Sequence, residues 1–516
     1  MSSMFRTVTK FRVLGTALAA VSACGVNPVT GKREITLVGE ASEIQMGEQN
    51  YAPMQQSQGG EYDIDPELTE YVSAVGQRLA AVSDRPLPYE FVVLNNSVPN
   101  AWALPGGKIA INRGLLTELG SEAELAAVLG HEIVHAAARH SAQRMEQGML
   151  LQGLVLATAV ATSDSDYGRL AVGGANIAAQ LVTQKYSRSA ELEADTYGMQ
   201  YMAEAGYDPD GAVSLQKTFV RLSEGGRSDW LSGMFASHPP SQARVEANIQ
   251  TAASLPPGGD TGADRFQAVM ARTKAVMPAY EAYDEGRAAL AEKNAALALQ
   301  KAEEAIQRLP EEAHFYALRG DARLVDDKFD MAVTNYDSAI GRRDDFFYYY
   351  LQRGRAHDQL GNRDAAVRDL EKSLTLLPTA PAHYTLGTIA ADRGNRAAAL
   401  EHFRAVAEGQ GDVAQAAQVQ VVRLDIAENP GTYVQHACSA GNDGNLVVSV
   451  RNATSLPLSG ITVLVQYNQG GGVRRLERRV SQTLGSGQVA SVATGLGPYQ
   501  PGSACPVAVT AARVAQ

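Results

Sequence analysis

The 516-residue chain has little cysteine, no apolar run long enough to cross a bilayer, and a deficit of positive charge. Only Cys24, Cys438 and Cys505 are present, so one disulfide at most can form. The apolar stretch at residues 149–162 falls short of the roughly 18–20 residues that a span requires. It reads either as a buried helix or as a hairpin or lid touching a membrane surface. Lys and Arg number 45 against 56 Asp and Glu, a net charge of -11. That balance argues against a broad nucleic-acid surface. With 45% hydrophobic and 20% charged residues, the composition is that of a globular protein, and the length exceeds one core.

The first 23 residues look like an export signal. Arg6, Lys10 and Arg12 precede a short apolar stretch, and Val21-Ser22-Ala23 then leads into Cys24. A small-residue site after a short apolar run marks cleavage and not a span. A cysteine at that position resembles the lipobox of bacterial lipoproteins, which would make Cys24 the lipidated first residue. The alternative is an ordinary signal peptide. By resemblance to enterobacterial lipoprotein sorting, Gly25, a residue other than Asp, implies the outer membrane. An exported chain meets an oxidising compartment, so Cys438 and Cys505 are expected to pair.

One stretch carries the chemistry. His131-Glu132-Ile133-Val134-His135 lies in a predicted helix opened by Ser121-Glu122-Ala123-Glu124, a capping box. Residues four apart share a helix face, so His131 and His135 can hold one metal ion while Glu132 reaches a water as general base. Such a site needs a third ligand. Downstream, Glu191 and Asp195 are four apart on a second predicted helix, residues 187–205, with Glu193 pointing away from their face. Glu191 can bind the metal while Asp195 accepts a hydrogen bond from a ligand imidazole. The competing reading is a solvated acidic face. His140 reads as structural or supporting, not as a ligand. His238, in Ser237-His238-Pro239-Pro240, could stabilise an oxyanion or fill the fourth metal position. Arg244 could orient that loop or a carboxylate.

Upstream, the strand candidates at residues 91–94, 100–104 and 108–112 include a hairpin turned at Pro105-Gly106-Gly107. Its start, Asn100-Ala101, could present an edge to an extended substrate, or the hairpin could be purely structural. Downstream, Pro256-Pro257-Gly258-Gly259 opens an expected linker, residues 256–277. Gly286, Gly320, Gly354 and Gly387 then recur at 34, 34 and 33 residues, each followed twelve residues later by an alanine. That is the tetratricopeptide (TPR) period, four repeats over 278–412. Residues 346–350, Phe-Phe-Tyr-Tyr-Tyr, could line a repeat surface or pack. From 430 to 516 the pattern alternates. Strands at 446–450, 461–465 and 489–492 suggest an immunoglobulin-like β-sandwich used for binding or docking.

Asn100-Ala101 with Leu104-Pro105-Gly106-Gly107, His131-Glu132-x-x-His135, Tyr186-Ser187-Arg188 with Glu191-x-x-Ala194-Asp195, and His238-Pro239 with Arg244 occur in a familiar order. They resemble the metallopeptidase family of HtpX, the Ste-type CAAX prenyl proteases and Oma. The closer likeness is to secreted BepA-like members that join the peptidase to TPR repeats. The resemblance implies an α+β zincin-like (gluzincin) domain over 24–255, with His131, His135 and Glu191 holding one zinc ion and Glu132 as base. It also implies polypeptide substrates, namely misfolded or misassembled envelope proteins. The repeats would recruit clients or outer-membrane assembly partners. The rival expectation is a latent protease acting as a TPR chaperone or scaffold. The chain lacks the transmembrane helices of the HtpX and Ste-type enzymes, so membrane-embedded cleavage is not implied.

Overall fold

The computed structural model describes residues 24–152, 185–224, 234–469, 472–500 and 502–515. The signal segment 1–23, the side chain of Cys24 and the apolar stretch from residue 153 onward lie outside the described residues. Among the described residues, no helix is long and apolar enough to cross a membrane. The chain divides into two compact units with a boundary between Pro378 and Thr379.

The first unit begins with an antiparallel pair, β1 (Cys24–Val26) and β2 (Arg33–Ile35). The turn between them is tied by Asn27, whose side-chain oxygen accepts from Val29 N and Thr30 N. Helix α1 (Glu40–Ser57) and helix α2 (Pro66–Ala80) follow. Helix α2 buries Leu68, Val72, Val75 and Leu79, one apolar face at helical spacing. Strands β3 (Glu90–Leu94), β4 (Ala101–Leu104) and β5 (Lys108–Asn112) form a mixed sheet in the order β3-β5-β4. The hairpin β4-β5 is antiparallel, and β3 runs parallel to β5. Gly106 and Gly107 turn it with φ of 81° and 86°, where a Cβ would be strained. This leaves β4, with Ala101, at the sheet edge.

Helix α3 (Glu122–Ala137) is buried along its whole length. Ser121 Oγ accepts from Glu124 N at 3.2 Å. The returning bond differs from the expected capping box: Glu124 accepts from Gly120 N at 2.6 Å, one residue earlier. Helix α4 (His140–Gln152), helix α5 (Arg188–Glu204) and helix α6 (Asp210–Glu224) follow. Helices α3 and α5 cross at two glycines. A Cβ on Gly198 would lie 3.0 Å from His131 N, and one on Gly130 would lie 3.1 Å from Gly198 O. That close approach sets Glu191 and Asp195 beside His131 and His135. The short helix α7 (Met234–Ser237) and helix α8 (Gln242–Ser254) complete this region.

The expected linker is corrected by the structure. Helix α9 (Ala263–Ala291) occupies much of 256–277, and its Phe266 and Met270 are fully buried in the peptidase core. Burial of an apolar face, not a turn, governs these residues. Helix α9 pairs with α10 (Ala295–Arg308). Helices α11 (Ala313–Val325) and α12 (Phe329–Ile340) form the next pair, followed by α13 (Phe347–Gln359) and α14 (Arg363–Leu376). Gly320 faces the Tyr336 ring and Gly354 faces Leu370, while Ala298, Ala332 and Ala366 are fully buried. The recurrent small residues are therefore places where paired helices touch. Phe346 to Tyr350 pack inside, each no more than 9% exposed.

The second unit starts with the fourth pair, α15 (Ala380–Asp392) and α16 (Arg396–Ala407), and a single helix α17 (Asp412–Asp425). Two three-stranded antiparallel sheets follow. One has the order β10 (Val489–Ala493), β7 (Leu446–Asn452), β6 (Val434–Ala440). The other has the order β11 (Val507–Val514), β8 (Leu458–Gln469), β9 (Gly472–Arg479). Val448 and Val450 of one sheet share an apolar cluster with Val463 and Val465 of the other. Cys438 and Cys505 form a disulfide that joins β6 to the residues just before β11.

Candidate metal centre

Four side chains from three elements converge. His131 and His135 come from α3, Glu191 from the first turn of α5, and His238 from the residue after α7. One donor atom from each lies within 4.8 Å of all the others, and all four residues are buried. His131 Nε2 is 3.0 Å from His135 Nε2 and 3.2 Å from His238 Nδ1. Glu191 Oε1 is 3.0 Å from His238 Nδ1 and 3.5 Å from His135 Nε2. Donors about 2.0–2.1 Å from one ion at tetrahedral corners would stand about 3.4 Å apart. The observed spacing and the donor types therefore fit a divalent metal ion, which these four side chains could hold.

Glu132 shares the helix face without joining the cluster. Both its carboxylate oxygens are buried with no hydrogen-bond partner among the described residues, and His238 Nε2 is 3.6 Å away. Buried carboxylates are normally hydrogen-bonded, so this one is suited to meet a water or a substrate group. Burial raises its pKa.

The ligands are held from behind by two different sets of groups. His131 Nδ1 meets Asp195 Oδ1 at 2.9 Å. Arg244 donates from Nε and Nη2 to both Asp195 oxygens at 2.7 Å, and its Nη1 is 2.9 Å from Glu191 Oε2. Burial would raise the Asp195 pKa, but Arg244 and then His131 outweigh it and hold it low. His135 is backed instead by His140, with Nδ1 facing Nδ1 at 2.8 Å, and Tyr186 stacks on its ring at 3.9 Å between centroids. Glu193 lies near His140 Nε2 and pairs with Lys32.

Asn100 and Ala101 are not among the four donors. Ala101 lies on the edge strand β4, and Asn100 accepts from Asn112 N. Pro99 O, one residue earlier, accepts from Met234 N at 3.0 Å, linking that loop to the helix before His238.

A family model described as peptidase family M48 matches residues 66–251, and a tetratricopeptide-repeat model matches residues 347–379. The Escherichia coli K12 protein named metalloprotease YcaL is 30% identical over 195 residues, 36% of this chain and 73% of that protein. The chain belongs to peptidase family M48. Two further relatives are similar to the chain. The Vibrio cholerae putative beta-barrel assembly-enhancing protease is 33% identical over 205 residues, 37% of this chain and 41% of that protein. The Schizosaccharomyces pombe mitochondrial metalloendopeptidase OMA1 is 33% identical over 222 residues, 42% of this chain and 63% of that protein. The matched segments thus span less than two thirds of these two relatives.

Within this M48 centre, Lys32, Tyr186 and Glu193 were not assigned a role from sequence. For Glu193 the available signal was negative: it faces away from the ligands on its own helix. It nevertheless meets His140, which another helix presents.

Proposed function

We propose that the chain is a zinc-dependent endopeptidase that cleaves misfolded or misassembled envelope polypeptides. The observation that supports this reading most is the buried set His131, His135, Glu191 beside an unpartnered Glu132. When bound, a zinc ion supplies Lewis acidity, polarising the scissile carbonyl and acidifying a water. Glu132 accepts the proton of that water and returns it to the leaving amine. Asp195 fixes the His131 imidazole through Nδ1, and Arg244 orients both Asp195 and Glu191. Ala101 in the buried, terminal strand β4, with Asn100 just before it, aligns the substrate as an added strand. The TPR repeats recruit the client or an outer-membrane assembly partner, and the C-terminal immunoglobulin-like sandwich docks the protein. Lipidation at Cys24 places it in the periplasm on the outer membrane.

A second reading is favoured by one observation. His238 Nδ1 lies 3.2 Å from His131 Nε2 and 3.0 Å from Glu191 Oε1, so it would serve as a fourth donor to the metal and make the resting protein a latent protease serving as a TPR chaperone. Cleavage of casein or an unfolded client tests both. Glu132→Gln should lower the rate by about 10²–10⁴-fold, and His238→Ala should raise it. Inert zinc-loaded wild type together with inert His238→Ala would remove the protease reading.

A further inference from the structure

The support behind His135 is built from residues that no ligand motif includes, and it begins at the N-terminal strand pair. His140 is 3% exposed, and its Nδ1 lies 2.8 Å from His135 Nδ1. Two ring nitrogens at this distance share one proton, and the rest of the geometry determines which carries it. His135 Nε2 faces the donor cluster, so its lone pair must point there and its proton must sit on Nδ1. His140 Nδ1 therefore accepts. With its Nδ1 accepting, His140 carries its own proton on Nε2, which makes no hydrogen bond among the described residues; Glu193 Oε2 lies 3.5 Å from it, at ion-pair distance. Glu193 is in turn held by Lys32, from the turn between β1 and β2. The reverse polarity would put the His135 proton on Nε2 and prevent it from acting as a ligand.

The backbone that presents His140 is strained and held in place. Arg139 has φ 62°, the left-handed region that costs a non-glycine residue energy. Its side chain is fixed by Glu43 at 2.6 Å, Glu34 at 2.9 Å, Glu146 at 3.1 Å and Val38 O at 2.6 Å. Asn27 adds a bond to Ala138 O at 2.8 Å. Backbone strain of this kind persists where surrounding contacts over-determine it. Here most of those contacts come from the segment that follows Cys24.

We infer that His140 is a positioning residue for the metal, setting the tautomer and ring orientation of His135 through a His135-His140-Glu193-Lys32 relay anchored by the N-terminal strand pair. This rests on reading His131, His135 and Glu191 as ligands. The relay differs in kind from the Asp195-Arg244 support of His131, because its acceptor is a neutral ring whose polarity is set one residue further out.

The test is zinc affinity by chelator competition on the full chain, with the thermal unfolding of the metal-free protein as control. His140→Ala should weaken zinc binding by about 10–100-fold. His140→Asn places an amide oxygen near the lost Nδ1 and should recover most of that loss. Glu193→Ala, at a partly exposed position, should weaken binding less than His140→Ala, and Glu193→Gln less again. Nitrogen-correlated NMR of the imidazoles should show His135 protonated on Nδ1 and His140 on Nε2. Wild-type zinc affinity in folded His140→Ala overturns the relay alone. So does a loss that Asn fails to recover, or the opposite tautomers. A wild-type protein that takes up no zinc overturns the ligand reading itself, and the relay with it.

Discussion

In the peptidase region, buried guanidinium groups meet buried carboxylates. Arg139 reaches Glu34, Glu43 and Glu146, and Arg244 reaches Glu191 and Asp195. The C-terminal sheets are held differently. No ion pair occurs among the described residues of 434–515, and Arg474, Arg475, Arg478 and Arg479 of β9 lie exposed. Their cohesion comes from an apolar cluster and the Cys438–Cys505 link. Charge is buried where a donor atom must be aimed, at a desolvation cost that only close pairing offsets. Where only two sheets must stay together, apolar area and one covalent bond suffice.

The largest expected effect breaks one side of this comparison. Arg244→Ala leaves Glu191 and Asp195, 2% and 7% exposed, without their cation. The metal-free protein should lose about 3–5 kcal/mol in denaturant unfolding. Arg475→Ala on β9 should cost less than about 0.5 kcal/mol. Equal losses would erase the distinction between the two regions. On the other side, the disulfide closes a separation of 67 residues. Replacing Cys438 and Cys505 by Ser should cost the C-terminal module about 2–4 kcal/mol, with zinc uptake unchanged. A matching loss of zinc uptake would show that the centre depends on the module.

Acid should separate the regions next. The Glu193 carboxyl is held down to about 2, first by His140 and then by Lys32. Asp195 is also held low, by Arg244 against the effect of burial. A folded pKa below the unfolded value gives stability that is present above about pH 4 and lost as pH falls toward 2. Residues 434–515 contain only Asp443 and Glu477 as carboxylates, neither in an ion pair. Metal-free protein followed by circular dichroism and tryptophan fluorescence should therefore lose the peptidase region first below pH 4, since neither tryptophan of the sequence lies in 434–515 and Trp102 is buried in the first unit. Loss of the β signal first would contradict this.

The legibility of the sequence followed the range of each contact. His131, Glu132 and His135 declared themselves because one helix period places them together. The repeats did so because a glycine recurs wherever paired helices touch. Strand β9 was not legible: from Val473 to Arg479 every residue but the half-buried Leu476 is exposed, so no apolar alternation marks it. Helix α9 was hidden by the Pro256-Pro257-Gly258-Gly259 punctuation before it, although Phe266, Met270 and Thr273 keep a helical spacing. Glu193 was out of reach for another reason. Its role depends on α4 and the N-terminal strand pair arriving from 53 and 161 residues away, and no single-helix pattern encodes that.

The smallest effect is the most specific for the support of His135. Lys32 is 70% exposed, so its pairing with Glu193 is screened by water. Lys32→Ala should change zinc affinity by no more than about twofold, because Glu193 stays within 3.5 Å of His140 Nε2. Lys32→Glu places a second carboxylate beside Glu193 and should weaken zinc binding further, an effect that salt reduces. The same reversal at Arg475 should leave zinc affinity unchanged, because that exposed arginine forms no ion pair among the described residues. Zinc affinity that ignored the sign of residue 32 would confine the relay to His140 and Glu193 and detach the N-terminal strand pair from the centre.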